Sequence, residues 1–258
     1  MRSTRHVARE AEDRPTAVIL AAGKGTRMSA EKPKAAVTVG GSAMAERVVD
    51  AMRQAGAGRV IVIVGHRADS VKSVIRDRVE YVVQEEQLGT GHAVGCARTA
   101  IDGCPGPILV AYADLPLVRA CDVEALIAHH RRTGAAATLL TAVFGNPGSL
   151  GRILRSADGR VRAIVEARDA SEQELAVKEI NVGVYCFAAP LLFASLAKVT
   201  NDNAKGEYYL TDVVSILVRE SHRVEAMPME DAEAGMGVDT PEDLARARRI
   251  FERHESPG

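Results

Sequence analysis

The chain has 258 residues, of which 47% are hydrophobic, 26% charged and 3% aromatic, with 22 glycines. A chain of this size buries roughly 70 to 75% of its unfolded surface, and the composition is that of an ordered globular protein rather than a disordered one. Lys plus Arg number 33 against 34 Asp plus Glu, a net charge of −1, which excludes the broad positive field that a nucleic-acid partner or an anionic membrane surface requires.

The first fifteen residues mix four arginines with three acids and end in Arg14-Pro15. They lack the apolar centre of a signal peptide, so residues 1–15 are expected to form a loosely ordered tail ahead of one domain over 16–258. The run Ala17 to Leu20 then reads as a buried strand entering a glycine-rich turn. A helix follows at Ala43 to Ala55, where Met44, Val48, Val49 and Met52 recur at helical spacing, and then a strand at Arg59 to Val64. Strand, helix, strand is a parallel crossover unit. The alternation continues with a helix at Ala68 to Arg76, a strand at Val79 to Val83, a helix at Thr90 to Ala100 and a strand at Pro107 to Tyr112. In such open sheets ligands bind beyond the carboxyl ends of the strands.

From about Ala135 the pattern turns strand-rich, with strands expected at Thr138 to Val143, Gly151 to Leu154, Val161 to Val165 and Glu179 to Phe187, forming mixed sheet laid over the first half. Helices at Glu207 to Arg219 and Pro241 to Arg253, with a strand at His222 to Met227 between them, complete the expected domain. The fold class is α/β: a Rossmann-like, mostly parallel central sheet flanked by helices, with a smaller mixed sheet region. Cys96, Cys104, Cys121 and Cys186 contain no C-x-x-C pair and are read as free thiols of a reducing, cytoplasmic protein. No apolar run approaches the ~20 residues of a membrane helix, so no membrane partner is expected.

The most informative segment is Leu20-Ala21-Ala22-Gly23-Lys24-Gly25-Thr26-Arg27, followed by Lys32-Pro33-Lys34. Its small residues let backbone N–H groups face a phosphate chain while several cations stand close in sequence, which makes a triphosphate cradle. A dinucleotide fingerprint is excluded because Met28 occupies the place of the third glycine, and a Walker loop is absent. Asp114 follows the apolar run ending at Tyr112, where an open sheet presents groups to a ligand, and a carboxylate there suits Mg²⁺. Gln84 can both give and accept hydrogen bonds, and Gly89-Thr90 opens a helix. On pattern alone, Gln84 also reads as an ordinary polar residue ending a strand, Glu166 and Asn181 as solvent-facing strand residues, and Asp239 as the N-cap of the last helix. His92 reads as structural.

With these residues in place, the chain resembles the nucleotidyltransferases that activate sugar phosphates. More particularly, it resembles the uridylyltransferase half of the bacterial bifunctional N-acetylglucosamine-1-phosphate enzymes. Beyond the glycine-rich segment, the resemblance rests on Gln84 to Ala93 (QEEQLGTGHA), Tyr112 to Leu117 (YADLPL), Gly151-Arg152-Ile153, Ile164-Val165-Glu166, Glu179 to Gly183 (EINVG) and Asn203 to Asp212 (NAKGEYYLTD), which occur in the family's order. The resemblance implies Mg²⁺-dependent transfer of UMP from UTP to a sugar 1-phosphate, giving a UDP-sugar such as UDP-N-acetylglucosamine and pyrophosphate. It implies that Arg27, Lys34 and Asp114 are catalytic, that Leu20 to Thr26 with Gln84, Gly89 and Thr90 bind the nucleotide, that Tyr112, Gly151, Glu166 and Asn181 bind the sugar, and that Asp114 and Asp239 hold the metal.

The family generally carries asparagine at the place of Asp239 and an aromatic residue at Leu150, and related thymidylyltransferases use a carboxylate at the former. A thymidylyl- or cytidylyltransferase, a uridylyltransferase for another sugar phosphate, and a catalytically silent sugar-nucleotide-binding regulator therefore remain alternatives. Without the hexapeptide repeats of the bifunctional enzymes, a monomer or dimer is expected rather than their trimer, with no acetyl transfer.

Overall fold

Strand β1, Thr16–Leu20, is apolar after its first residue and almost fully buried, as expected of a strand covered on both faces. In this computed structural model, which describes residues 13–23 and 33–255, it lies between β4, Arg59–Val64, and β6, Ile108–Tyr112. Both pairings are parallel, and the register sets Leu20 level with Ile63 and with Tyr112. Beyond β4 runs β5, Glu80–Val83, also parallel.

On the other side of β6 the sheet continues through β10, Glu179–Phe187, to β7, Ala137–Val143, and then to β11, Val224–Pro228. β10 is antiparallel to both of its neighbours, whereas β11 is parallel to β7. β8, Arg152–Arg155, pairs with the start of β10 and with β9, Val161–Val165, as an antiparallel branch. The mixed sheet expected for the second half is therefore present, but it extends the first half edgewise instead of lying over it. β7 and β10 pair with each other and with β6 and β11, strands that lie far from them in sequence, and local periodicity holds no record of such pairing.

Residues alternate between the two faces of the sheet. On one face α1, Met44–Gln54, α2, Ala68–Ile75, and α5, Ala120–Thr133, pack Val48, Met52, Val71, Ile75, Val123 and Leu126 against Ile19, Val62 and Leu109. On the other face α3, Thr90–Cys96, α7, Ala189–Leu196, and α8, Asp212–Arg219, pack Val94, Leu192, Val213 and Leu217 against Val18, Ile61 and Val110. A third cluster joins the hairpin of β2, Thr38–Val39, and β3, Ser42–Ala43, to the last helix, α9, Pro241–Glu255, through Val39, Met44, Met236, Val238, Ala247 and Ile250.

Two expected helices come out shorter. The one from Thr90 ends at Cys96, and a separate turn, α4, covers Arg98–Ile101. The one from Glu207 begins only at Asp212, because Tyr208 is strapped to the loop ahead of α3: its N–H donates to Leu88 O at 2.8 Å and its carbonyl accepts from Gly91 N at 2.7 Å.

The start of α9 also differs from expectation. Its N-cap is Thr240, whose hydroxyl accepts from Asp243 N at 3.1 Å, while the Asp243 carboxylate takes the N–H groups of Asp239 and Thr240 at 3.1 and 2.9 Å. This reciprocal cap leaves the Asp239 side chain out of the helix terminus. Thr240→Ala is expected to cost about 1 kcal/mol, read as a fall in Tm of roughly 2 to 4 °C.

The four cysteines are free thiols, as expected. Among the described residues no helix is long and apolar enough to cross a membrane.

Candidate functional site

The carboxyl ends of β1, β4, β5 and β6 open on the same side of the sheet, and the chain turns away there at Ala21, Gly65, Gln84 and Ala113. The turns are tied to one another: Ala21 N donates to Ile63 O at 2.9 Å, Ala113 N to Leu20 O at 3.1 Å and Gln84 N to Val64 O at 2.8 Å. Leu20, Ala21, Ala22 and Gly23 therefore stand at this edge, with Ala21 and Ala22 buried. Lys24, Gly25, Thr26 and Arg27 lie outside the described residues.

Lys34 begins a 3₁₀ turn, Lys34–Ala36, set by Pro33, whose carbonyl accepts from Ala36 N at 2.9 Å. Its side chain is 13% exposed and its Nζ donates to both the Asp114 and the Asp239 carboxylates. Asp114 comes from the loop after β6 and Asp239 from the loop before α9, and the two loops are pinned together by Val238 N donating to Asp114 O at 2.9 Å. Burial pushes the Lys34 ammonium down, but the two carboxylates at its tip outweigh burial and hold it above its usual value. One cation thus balances two anions brought from 80 and 205 residues away.

Two carboxylates converging on one point are the hard donors that Mg²⁺ selects when substrate and water complete its shell. Among the described residues no group of three or more potential ligands is suited to a metal. The donor set fits an ion held in part by a bound phosphate chain.

Gln84 is 3% exposed. Its amide Nε2 donates to Gly89 O at 3.1 Å and lies 2.9 Å from His92 Nδ1. The strap to Tyr208 fixes this loop, and Leu210 N donates to Thr90 Oγ1 at 3.0 Å. Of the backbone donors at the start of α3, that of Gly91 is already used.

The four residues expected at the sugar also come together. Asn181 N donates to Gly151 O at 2.9 Å, and a Cβ on Gly151 would stand 3.5 Å from Glu166 Oε1. Thr211 Oγ1 donates to that same Glu166 oxygen at 3.1 Å. The Asn181 amide donates to the buried Tyr185 hydroxyl at 2.6 Å, and the Tyr112 hydroxyl lies 3.4 Å from Tyr185. Burial, then Asp169 and Asp212, raise the Glu166 carboxyl, against the lowering effect of the Thr211 hydrogen bond and of Lys205. Burial, then Tyr185 and Glu166, keep the Tyr112 phenol well above its usual range and so protonated.

Tyr112 packs against Gly183, whose φ of +95° and the 2.5 Å gap from a built Cβ to the Tyr112 ring admit only glycine. Tyr185 and Thr211, which were not singled out in the sequence, hold the Asn181 and Glu166 side chains in place. Tyr185 falls there inside the expected strand Glu179 to Phe187 and Thr211 inside the expected helix Glu207 to Arg219, while His92, read as structural, stands beside Gln84.

A cavity of about 830 Å³ opens at the other end of the sheet, beside Arg98, Cys104 and Phe193, and includes none of these residues.

The chain is similar to known proteins in sequence and in fold. Residues 17–215 match the family described as the MobA-like NTP transferase domain. The chain is 46% identical over 235 residues to the bifunctional protein GlmU of Bacillus cereus strain G9842, and 44% identical over 236 residues to that of Geobacter metallireducens. These alignments cover 91% of the chain but 51% and 50% of the relatives, so the chain spans about half the length of the curated proteins it matches. In three dimensions it is similar to a UDP-glucose pyrophosphorylase crystallised with UDP-glucose. The TM-score is 0.74 over 94% of this chain and 100% of the other, at 14% identity, a likeness of fold.

Proposed function

Because the chain belongs to the MobA-like NTP transferase domain family, we propose that it transfers UMP from UTP to a sugar 1-phosphate, with N-acetylglucosamine 1-phosphate as the acceptor and Mg²⁺ as the cofactor. The observation that carries this reading is Lys34 set between Asp114 and Asp239 at the carboxyl edge of the sheet. A buried cation facing two carboxylates has little use as surface decoration, and a phosphate chain needs both cationic and metal-borne charge.

A phosphate oxygen of the sugar phosphate attacks the α-phosphorus of UTP, and the bond from that phosphorus to the bridging β-phosphate oxygen breaks. Pyrophosphate takes the electron pair. The attacking phosphate is already anionic, so no general base is required, and positioning with charge neutralisation does the work. Lys34 would neutralise the α-phosphoryl oxygens, Asp114 and Asp239 would hold Mg²⁺, and Arg27 and Lys24, which lie outside the described residues, would neutralise the departing pyrophosphate. The chemistry supplied by the bound ion is neutralisation of charge on the phosphates. Gln84, Gly89 and Thr90 hold the base, while Glu166, Asn181, Gly151 and Tyr112 hold the sugar. The short distances linking those last residues support placing the acceptor beside β10.

The test is pyrophosphate release over four nucleotides and several sugar phosphates, with and without Mg²⁺. Turnover with UTP and N-acetylglucosamine 1-phosphate only when Mg²⁺ is present is the expected result. A preference for CTP or dTTP removes the uridylyl assignment, activity with a different sugar phosphate alone revises the acceptor, and turnover with no pair points to a silent regulator.

A further inference from the structure

The Gln84 amide is held in one orientation by chemistry. Gly89 O can only accept a hydrogen bond, so the Gln84 atom 3.1 Å from it is the nitrogen. That nitrogen carries two hydrogens, and the second points at His92 Nδ1, 2.9 Å away. Nδ1 must then be an acceptor, which places the ring proton on Nε2 and makes His92 neutral. The Nε2 atom lies 4.0 Å from Cys96 Sγ, a weak acceptor compatible with that tautomer. Turning the amide over would set its oxygen against the Gly89 carbonyl, two acceptors face to face in a buried place.

Both Gln84 donors are therefore committed inside the protein, and its carbonyl oxygen is the side-chain group left for a ligand. The sequence reading, in which Gln84 both gives and accepts, is corrected to acceptance alone. Uracil and thymine carry a donor at N3, whereas cytosine carries an acceptor there. We propose that His92 is a positioning residue that locks Gln84 as an acceptor and thereby selects a base with an N3–H over cytosine. This rests on the reading of Gln84 as the base-binding residue, and it names what enforces the choice.

The test compares the wild type with His92→Leu, which removes the acceptor, and His92→Asn, whose side-chain carbonyl can take its place. Steady-state kinetics with UTP, dTTP and CTP are read beside nitrogen-15 NMR of the histidine rings in the free wild-type protein. His92→Leu is expected to raise KM for UTP ~10-fold with a much smaller change in kcat, the loss of about one hydrogen bond's worth of orientation. It should also narrow the UTP-to-CTP ratio of kcat/KM by a similar factor, and His92→Asn should restore both. NMR should find His92 protonated on Nε2 alone.

An unchanged UTP-to-CTP ratio in His92→Leu, or a protonated Nδ1 in the wild type, overturns the role of His92 while leaving the uridylyl reading intact. A wild type that prefers CTP overturns both. If His92→Leu does not fold, the NMR tautomer and the His92→Asn kinetics still decide.

Discussion

Replacing Lys34 by alanine is expected to lower kcat by ~10²-fold to 10³-fold, the usual effect of deleting one group that stabilises charge in the transition state. The same change leaves Asp114 and Asp239 facing each other without their shared cation. Like charges at short range then repel, so the metal-free variant should unfold at a lower temperature than the wild type. Added Mg²⁺ takes over part of the balancing role, and the rise in Tm on adding it should be larger in Lys34→Ala than in the wild type. Pyrophosphate release reads the first effect and a thermal melt with and without Mg²⁺ reads the second. Near wild-type turnover, or an identical Mg²⁺ shift in both proteins, would sink the assignment of Lys34 as the partner of a two-carboxylate metal site.

Gly89→Ala should produce a large loss of stability for a single added methyl. Gly89 has φ of +114°, and a Cβ there would lie 2.6 Å from Tyr208 O and 2.7 Å from Tyr208 N. Both are backbone atoms fixed by the strap, so neither side can yield cheaply. A cost of about 2 to 4 kcal/mol is expected from the strained backbone and the clash together, or a fall in Tm of roughly 5 to 15 °C. Any relaxation separates residues 88–91 from 208–210 and moves the carbonyl that orients Gln84, so KM for the nucleotide should rise as well. Gly95→Ala is the control: it lies in the same helix with nothing within 4 Å of its Cβ. Alanine there should stabilise by about 0.5 to 1 kcal/mol. Equal melting temperatures for the two variants would mean that the strap does not hold.

Much of the parallel half was legible because its strands are continuous apolar runs. The expected limits of Arg59–Val64 coincide with those observed, as do those of the antiparallel strand Glu179–Phe187 in the second half. Helix α5 was not foreseen, since Glu124, Ala125, Ala128, His129, Arg131 and Arg132 dilute the buried stripe of Val123, Leu126, Ile127 and His130. The edgewise growth of the sheet was hidden for a different reason: it depends on which distant strand each edge meets. At the site, Asp114 was legible from its place after a buried strand. Its meeting with Asp239 was implied by resemblance, and the structure supplies the local cause in the hydrogen bond from Val238 N to Asp114 O. What sequence could not supply was orientation. Thr240, not Asp239, caps α9, and the Gln84 amide nitrogen is turned to Gly89 O.

The hairpin β2–β3 and helix α9 share a small apolar cluster of their own. The hairpin follows directly on Lys34 and the helix directly on Asp239, so this cluster works as a clasp that draws the two ends of the chain onto the edge where Asp114 waits. The family match ends at residue 215, ahead of both Asp239 and α9. A chain cut at that family boundary would keep Lys34 and Asp114, yet lose the clasp and the second carboxylate that holds Lys34. On the proposed function, the smallest active unit extends beyond the region by which the family is recognised.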